Sequence, residues 1–147
     1  MNGLLEIAIA LAVSAHRGQT DKGGAAYILH PLRVMMAMDT DEERIVAVLH
    51  DAVEDSRAIR VKEIEEAFGP RIAGAVDALT KREGEDYDAY LHRVVADNIA
   101  IRVKLADLED NCDLSRLGRE PNEDDLKRLD KYHRAHVMLQ QAMEYQP

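Results

Sequence analysis

The sequence predicts an all-α, single-domain bundle of about seven or eight helices across residues 1–147. Three observations carry that prediction. Apolar residues recur at the three- and four-residue spacing of a helix face along nearly the whole chain. No segment alternates apolar and polar residues with the period of two that marks a half-buried strand. The breaks between apolar runs are short and carry helix start and stop residues, as in Thr40-x-x-Glu43, Gly69-Pro70 and Pro121-Asn122.

Leu4, Leu5, Ile7, Ala8, Leu11, Ala12 and Ala15 predict a first helix that ends at His16-Arg17. His16 at that end reads as a cap or a hydrogen-bonding support rather than a direct ligand. A glycine-containing loop follows from Gly18 to Ala26. His30 precedes a proline, which biases it towards extended backbone, and Pro31 then suits the first position of a second helix. The methionines of that helix, Met35, Met36 and Met38, read as irregular core filling. Thr40 caps a third helix, and Ile45, Val46, Val48 and Leu49 carry it on to Asp55. Val61–Phe68 is a short amphipathic helix stopped by Gly69-Pro70. The next helix carries Ile72, Ala73, Val76 and Leu79 and ends near Lys81-Arg82. Tyr87 to Val95 is again helical, and Asp97-Asn98 interrupts or bends the chain. From Ile99 a new apolar pattern runs to Leu108. Arg116 to Pro121 is a break, and Asn122 caps a last helix bearing Leu126, Leu129, Tyr132, Val137, Leu139 and Met143.

Trp is absent and Phe occurs once, so the core must be built from Leu, Val, Ile, Ala and Met. The formal net charge of −9 gives no general attraction for nucleic acid or anionic membrane, and neither is expected as a partner. A phosphate ligand must then be drawn locally, by a metal ion or a few Lys and Arg. No apolar run approaches the ~20 residues of a membrane span. The first six residues lack the basic start of a signal peptide and read as the entry to a helix. Cys112 is the only cysteine, which rules out an internal disulfide and fits a cytoplasmic location. Asp110 and Asp113 flank it, and nearby acids raise a thiol's pKa, so it makes a poor nucleophile.

Chemistry concentrates at His50-Asp51-Ala52-Val53-Glu54-Asp55, where a His and three acids interrupt an apolar helix pattern. On a continuous helix His50 stacks above Glu54 and Asp51 above Asp55, so the four share one face. The plain alternative is a solvated helix face. Burying them unpaired would cost several kcal/mol, and a divalent metal is the obvious common partner. His30 and Asp107 supply two more candidate ligands. Two imidazoles and two carboxylates suit one first-row ion; open water positions fit Mn2+ or Fe2+ better, and the same set could hold Zn2+. Such an ion acidifies water and polarises a phosphoryl oxygen. Glu54 is placed to take a proton from that water, and Asp55 to orient it.

Together, three segments resemble the HD-domain superfamily of metal-dependent phosphohydrolases. They are Ala15-His16-Arg17-Gly18-Gln19 through Tyr27-Ile28-Leu29-His30-Pro31, then Leu49-His50-Asp51-Ala52-Val53-Glu54-Asp55, then Val103-Lys104-Leu105-Ala106-Asp107 with Asn111. The likeness is strongest to the hydrolase domain of RelA/SpoT-type enzymes and to small alarmone hydrolases. It implies a helical fold and a single metal, usually manganese, held by His30, His50, Asp51 and Asp107. It also implies Glu54 and Asp55 beside the catalytic water, and Lys22, Tyr27 and Asn111 in the nucleotide pocket. The implied reaction removes the 3′-pyrophosphate of guanosine tetra- or pentaphosphate.

The chain departs from that pattern in its substrate loop. Where the family carries an Arg-Lys-x-Gly-x-Pro-Tyr run, this chain has Asp21-Lys22-Gly23-Gly24-Ala25-Ala26-Tyr27. Aspartate cannot stack on a purine as a guanidinium does. After Asp107, the family's Arg-Leu-His-Asn-Met-Arg becomes Leu108-Glu109-Asp110-Asn111-Cys112-Asp113. The sequence therefore predicts phosphohydrolase chemistry on a nucleotide or related phosphate ester, with a different, smaller or less charged substrate. The other reading is a non-catalytic regulatory module that binds metal and nucleotide. Arg17, Lys22, Lys81, Arg82, Arg102 and Lys104 each read singly as solvated surface charges, and so does the cationic face from Lys127 to His136.

Overall fold

A computed structural model describes residues 3–55 and 59–145, apart from the Asp55 side chain. The order is α1 (Leu4–His16), α2 (Leu29–Met36), α3 (Asp41–Leu49), α4 (Ala52–Asp55), α5 (Val61–Phe68), α6 (Pro70–Leu79), α7 (Tyr87–Val95), α8 (Asn98–Asn111) and α9 (Glu123–Glu144). A 3-10 turn, Leu114–Leu117, lies between α8 and α9. The described residues contain no strand, and the all-α bundle stands as expected. One isolated antiparallel bridge, Thr20 to Ala26, closes the loop after α1.

α3 is the central helix. Ile45, Val46, Ala47, Val48 and Leu49 are all fully buried, so every side of its second half is covered. α1, α2, α6 and α8 supply the cover. α9 lies outside this layer, against α7 and α8. Met35 and Met38 fill the core as expected, whereas Met36 faces solvent.

The start of α3 follows the sequence closely. Thr40 Oγ1 accepts the Glu43 N–H at 3.2 Å, and Glu43 Oε1 accepts the Thr40 N–H at 3.1 Å. Asn122 and Asp125 form a second such box at α9. Asp97 resolves the expected interruption, accepting the Ile99 and Ala100 N–H groups at 2.9 Å each and starting α8. Gly69 turns α5 into α6 with φ 93°, a conformation that penalises any Cβ.

Three boundaries differ from the sequence expectation, and two of them shape the site. The third helix does not run on to Asp55. It ends at Leu49, and α4 restarts at Ala52. The His50 backbone N–H and ring Nδ1 both reach the Ala47 carbonyl, at 3.4 and 2.6 Å. They occupy the acceptor that a continued helix would offer to the Asp51 N–H. His30 is helical rather than extended, because α2 begins at Leu29 and Pro31 takes its third position. The first-turn N–H groups of a helix have no acceptor within it, so a proline there forfeits no bond. α6 stops at Leu79, short of Lys81-Arg82, where Thr80 turns to extended backbone.

Candidate metal centre

His30, His50, Asp51 and Asp107 converge, as the sequence predicted. One donor atom from each lies within 4.8 Å of all the others. α2 supplies His30, the break after α3 supplies His50 and Asp51, and α8 supplies Asp107. His30 Nε2 is 2.8 Å from Asp107 Oδ1 and 3.7 Å from Asp51 Oδ2. His50 Nε2 is 3.3 Å from Asp107 Oδ1 and 3.1 Å from Asp51 Oδ2.

Each ligand is also held from behind. His30 Nδ1 meets Asp110 Oδ2 at 2.6 Å, and His50 Nδ1 meets the Ala47 carbonyl. Both acceptors lack hydrogens, so both Nδ1 atoms carry the proton. Tyr27 donates its hydroxyl to Asp51 Oδ2 at 2.5 Å. Asp107 is braced by the Lys104 ammonium at 2.8 Å and by the Asn111 amide at 3.1 Å.

This arrangement tests the fit of a cation. With Nδ1 protonated, a neutral imidazole presents a bare Nε2 lone pair to carboxylate oxygens near 3 Å. Such contacts hold only with positive charge between them, from a proton on each Nε2 or from a shared cation. Burial would lower the His50 pKa, but Asp51 and Asp107 outweigh it and raise it well above the ordinary histidine value. Burial would likewise lower that of His30, and hydrogen bonds to Asp107 and Asp110 raise it instead. Burial pushes Asp51 up, while His50 draws it down to about 2. Two nitrogens and two oxygens, each backed by a second group, fit a divalent first-row ion.

A cavity of about 340 Å³ opens beside the cluster. Tyr27 and Asn111 belong to its wall and also hold Asp51 and Asp107, so cavity and cluster share a boundary. Lys22 lines it too, which brings all three expected substrate contacts to one space. Asp21 does not offer both carboxylate oxygens to a ligand, because its Oδ1 accepts the Gly23 and Ala25 N–H groups at 2.9 Å each. Gly23 packs so close that a Cβ there would lie 2.1 Å from the Arg116 carbonyl oxygen. Arg116 and Arg128, also in the wall, are paired with Asp113 and Asp125.

The sequence pattern of the family described as HD domain matches residues 8–89, more than half of the chain, including His30, His50 and Asp51. The chain belongs to the HD-domain family. It is 36% identical to the GTP pyrophosphokinase rsh of Brucella melitensis, over 71% of this chain and 16% of that protein. It is 34% identical to the guanosine-3′,5′-bis(diphosphate) 3′-pyrophosphohydrolase of Aquifex aeolicus, over 73% of this chain and 17% of that protein. The chain thus spans about a sixth of these relatives. Its fold matches that of a metazoan ortholog of SpoT, whose solved structure is described as hydrolysing ppGpp. The TM-score is 0.78 at 19% identity, covering 95% of this chain and 86% of that one.

Within this HD domain the remaining expected residues sort as follows. Glu54 lies on α4, one turn past Asp51, with an exposed side chain. Burial and the Asp107 charge, with a lesser push from Glu54, raise the Tyr90 hydroxyl pKa to about 12 against the pull of Lys104. Asp55 ends α4, and its side chain lies outside the described residues. His16 is buried, stacks near Tyr27 with ring centroids 5.0 Å apart, and meets Gln19 Oε1 at 3.0 Å, in keeping with a supporting role. The Cys112 thiol pKa is raised, the expected direction, but by burial and the Asp107 and Glu109 charges rather than by the flanking Asp110 and Asp113.

Lys104 is the clear correction. It is no solvated charge but a mostly buried partner of Asp107. Arg102 and Arg82 are also paired, with Glu43 at 2.7 Å and Asp77 at 3.3 Å. On α9, Lys131 lies over the Tyr87 ring at 4.1 Å, and Arg134 pairs with Asp130 at 3.0 Å. Sequence reasoning missed Asp110, Arg33 and Arg116 as site residues. A usable signal existed for Asp110 and Arg33, which fall three residues after Asp107 and His30 and so share their helix faces.

Proposed function

We propose that this HD domain is a cytoplasmic, metal-dependent phosphohydrolase acting on a nucleotide or related pyrophosphate. The observation that carries this reading is the convergence of His30, His50, Asp51 and Asp107 beside a cavity large enough for a small ligand. A divalent cation there, Mn2+ in the first instance, supplies Lewis acidity to a phosphoryl oxygen and acidifies water. Lys104 and Asn111 keep Asp107 in place, and Tyr27 keeps Asp51 in place. Glu54 receives a proton from the attacking water, and Asp55 orients that water. Lys22, Tyr27 and Asn111 contact the substrate. The named activity of the Aquifex relative makes guanosine 3′,5′-bis(diphosphate) the first compound to try.

One observation favours a second reading, a non-catalytic metal- and nucleotide-binding module. Four aspartates, Asp21, Asp110, Asp113 and Asp125, line the cavity, and its two arginines are already engaged. The Mn2+-loaded protein should be assayed for phosphate or pyrophosphate release across nucleotides and phosphate esters, guanosine tetraphosphate included. Turnover of at least one compound is the expected result. Binding without turnover selects the module.

A further inference from the structure

Asp110 is not one of the four converging ligands, yet it touches one of them. Its Oδ2 lies 2.6 Å from His30 Nδ1, while the opposite ring nitrogen faces Asp107. The carboxylate is itself gripped. Arg33 Nε donates to Oδ1 at 2.7 Å, and Nη2 donates to Oδ2 at 3.0 Å. Such a two-pronged contact fixes the carboxylate plane as well as its position. Arg33 follows His30 by three residues, so both stand on one face of α2. Arg116 adds a third hold, with Nη2 2.9 Å from the Asp110 carbonyl and 3.3 Å from its Oδ2. Arg116 is anchored in turn by Asp113 at 2.9 Å.

We infer that Asp110, set in place by Arg33, is a positioning residue for His30. It accepts the Nδ1 hydrogen, keeps the imidazole in the tautomer with Nε2 free, and aims Nε2 at the point where Asp51 and Asp107 meet. A carboxylate behind a ligating imidazole fixes its rotation and raises its basicity, and loss of such a partner typically weakens metal affinity 10- to 100-fold. His50 has only a neutral carbonyl in the equivalent place. The two imidazoles are therefore held unequally, His30 by a carboxylate and His50 by a carbonyl. This inference rests on the assignment of the cluster as a metal centre.

The test is Mn2+ affinity of the full chain, measured by chelator competition, with apo-protein Tm recorded beside it. Asp110→Asn should weaken binding about 10- to 100-fold, and Asp110→Glu should recover part of the loss. Arg33→Met, at a position one-third exposed, should weaken binding by up to about tenfold. Wild-type affinity in Asp110→Asn overturns the positioning role. So does a lowered Tm with unchanged affinity in both variants, the signature of a plain α2–α8 ion pair. If Asp110→Asn does not fold, Arg33→Met decides by the same measure, and unchanged affinity again overturns it. Wild-type protein that binds no Mn2+ overturns the metal centre, and the inference with it.

Discussion

Asp107 and Asp125 are both buried carboxylates on helices, 4% and 2% exposed, and they do opposite things. Asp125 receives the Asn122 N–H at 2.8 Å and the Arg119 guanidinium at 2.6 Å, with Arg128 on its other oxygen. Those donors keep their hydrogens at any physiological pH, so the carboxylate is complete and serves α9 as a cap. Asp107 has one permanent cation, Lys104, and shares its other oxygen with two imidazoles. An imidazole can exchange its proton for a metal. Burial does not distinguish a working acid from a structural one here. The kind of hydrogen-bond donor around it does.

The sharpest way to break this contrast is to remove each side in turn. His50→Ala or Asp107→Ala should abolish Mn2+ binding in calorimetry and abolish turnover, a loss beyond the roughly 100-fold expected of any supporting residue. Asp125→Ala should lower Tm and leave Mn2+ affinity unchanged. If Asp125→Ala weakens the metal as strongly, the distinction by donor type fails.

Glu54 tests the other edge of the comparison, as an acid that is exposed and outside the four-ligand cluster. Glu54→Gln should retain Mn2+ and lose roughly 100- to 10,000-fold in turnover, the usual worth of a general base. Unchanged turnover removes Glu54 from the chemistry. Next in size is the effect of the metal on folding. Mn2+ at 100 times its Kd should stabilise the protein by about 2.7 kcal/mol, and a chelator should reverse it. Differential scanning fluorimetry should read that as an upward Tm shift of roughly 5–10 °C.

The smallest expected effect is acid-side and belongs to Asp125. The Arg119 guanidinium, with the Asn122 N–H, holds its pKa at about 2, below the ordinary aspartate value of about 3.9. A depressed folded-state pKa gives stability that is complete above the unfolded value and disappears as pH falls through the folded one. The contribution should therefore fade between about pH 4 and pH 2. NMR titration should place the Asp125 carboxyl midpoint near the lower figure, and Asp125→Asn should flatten that part of the stability profile.

The helical frame was legible because apolar spacing and caps are local signals. Thr40, Asp97 and Asn122 act on N–H groups two or three residues away. The four converging residues were legible because His and Asp are rare inside apolar helices and because their segments, taken together, resemble a known family. The break at His50 was not, since a side chain capturing the Ala47 carbonyl leaves no trace in hydrophobic periodicity. It matters because neighbours on a continuous helix diverge by about 100°, while here His50 and Asp51 point to one place. Lys104 was read as solvent-facing, and Asp110 was given no partner, because a charge in the sequence does not disclose what it packs against. His30 and Asp110 are 80 residues apart.

Gly23 lets two walls of the cavity touch. Its missing side chain lets the loop after α1 lie directly on the Arg116 carbonyl of the 3-10 turn, so two distant segments meet without a spacer. An alanine Cβ there would lie 2.1 Å from that oxygen, so the two segments would have to shift. Arg116 also reaches Asp110, which backs His30, so a shift at this contact would be felt behind the cluster as well as at the cavity wall.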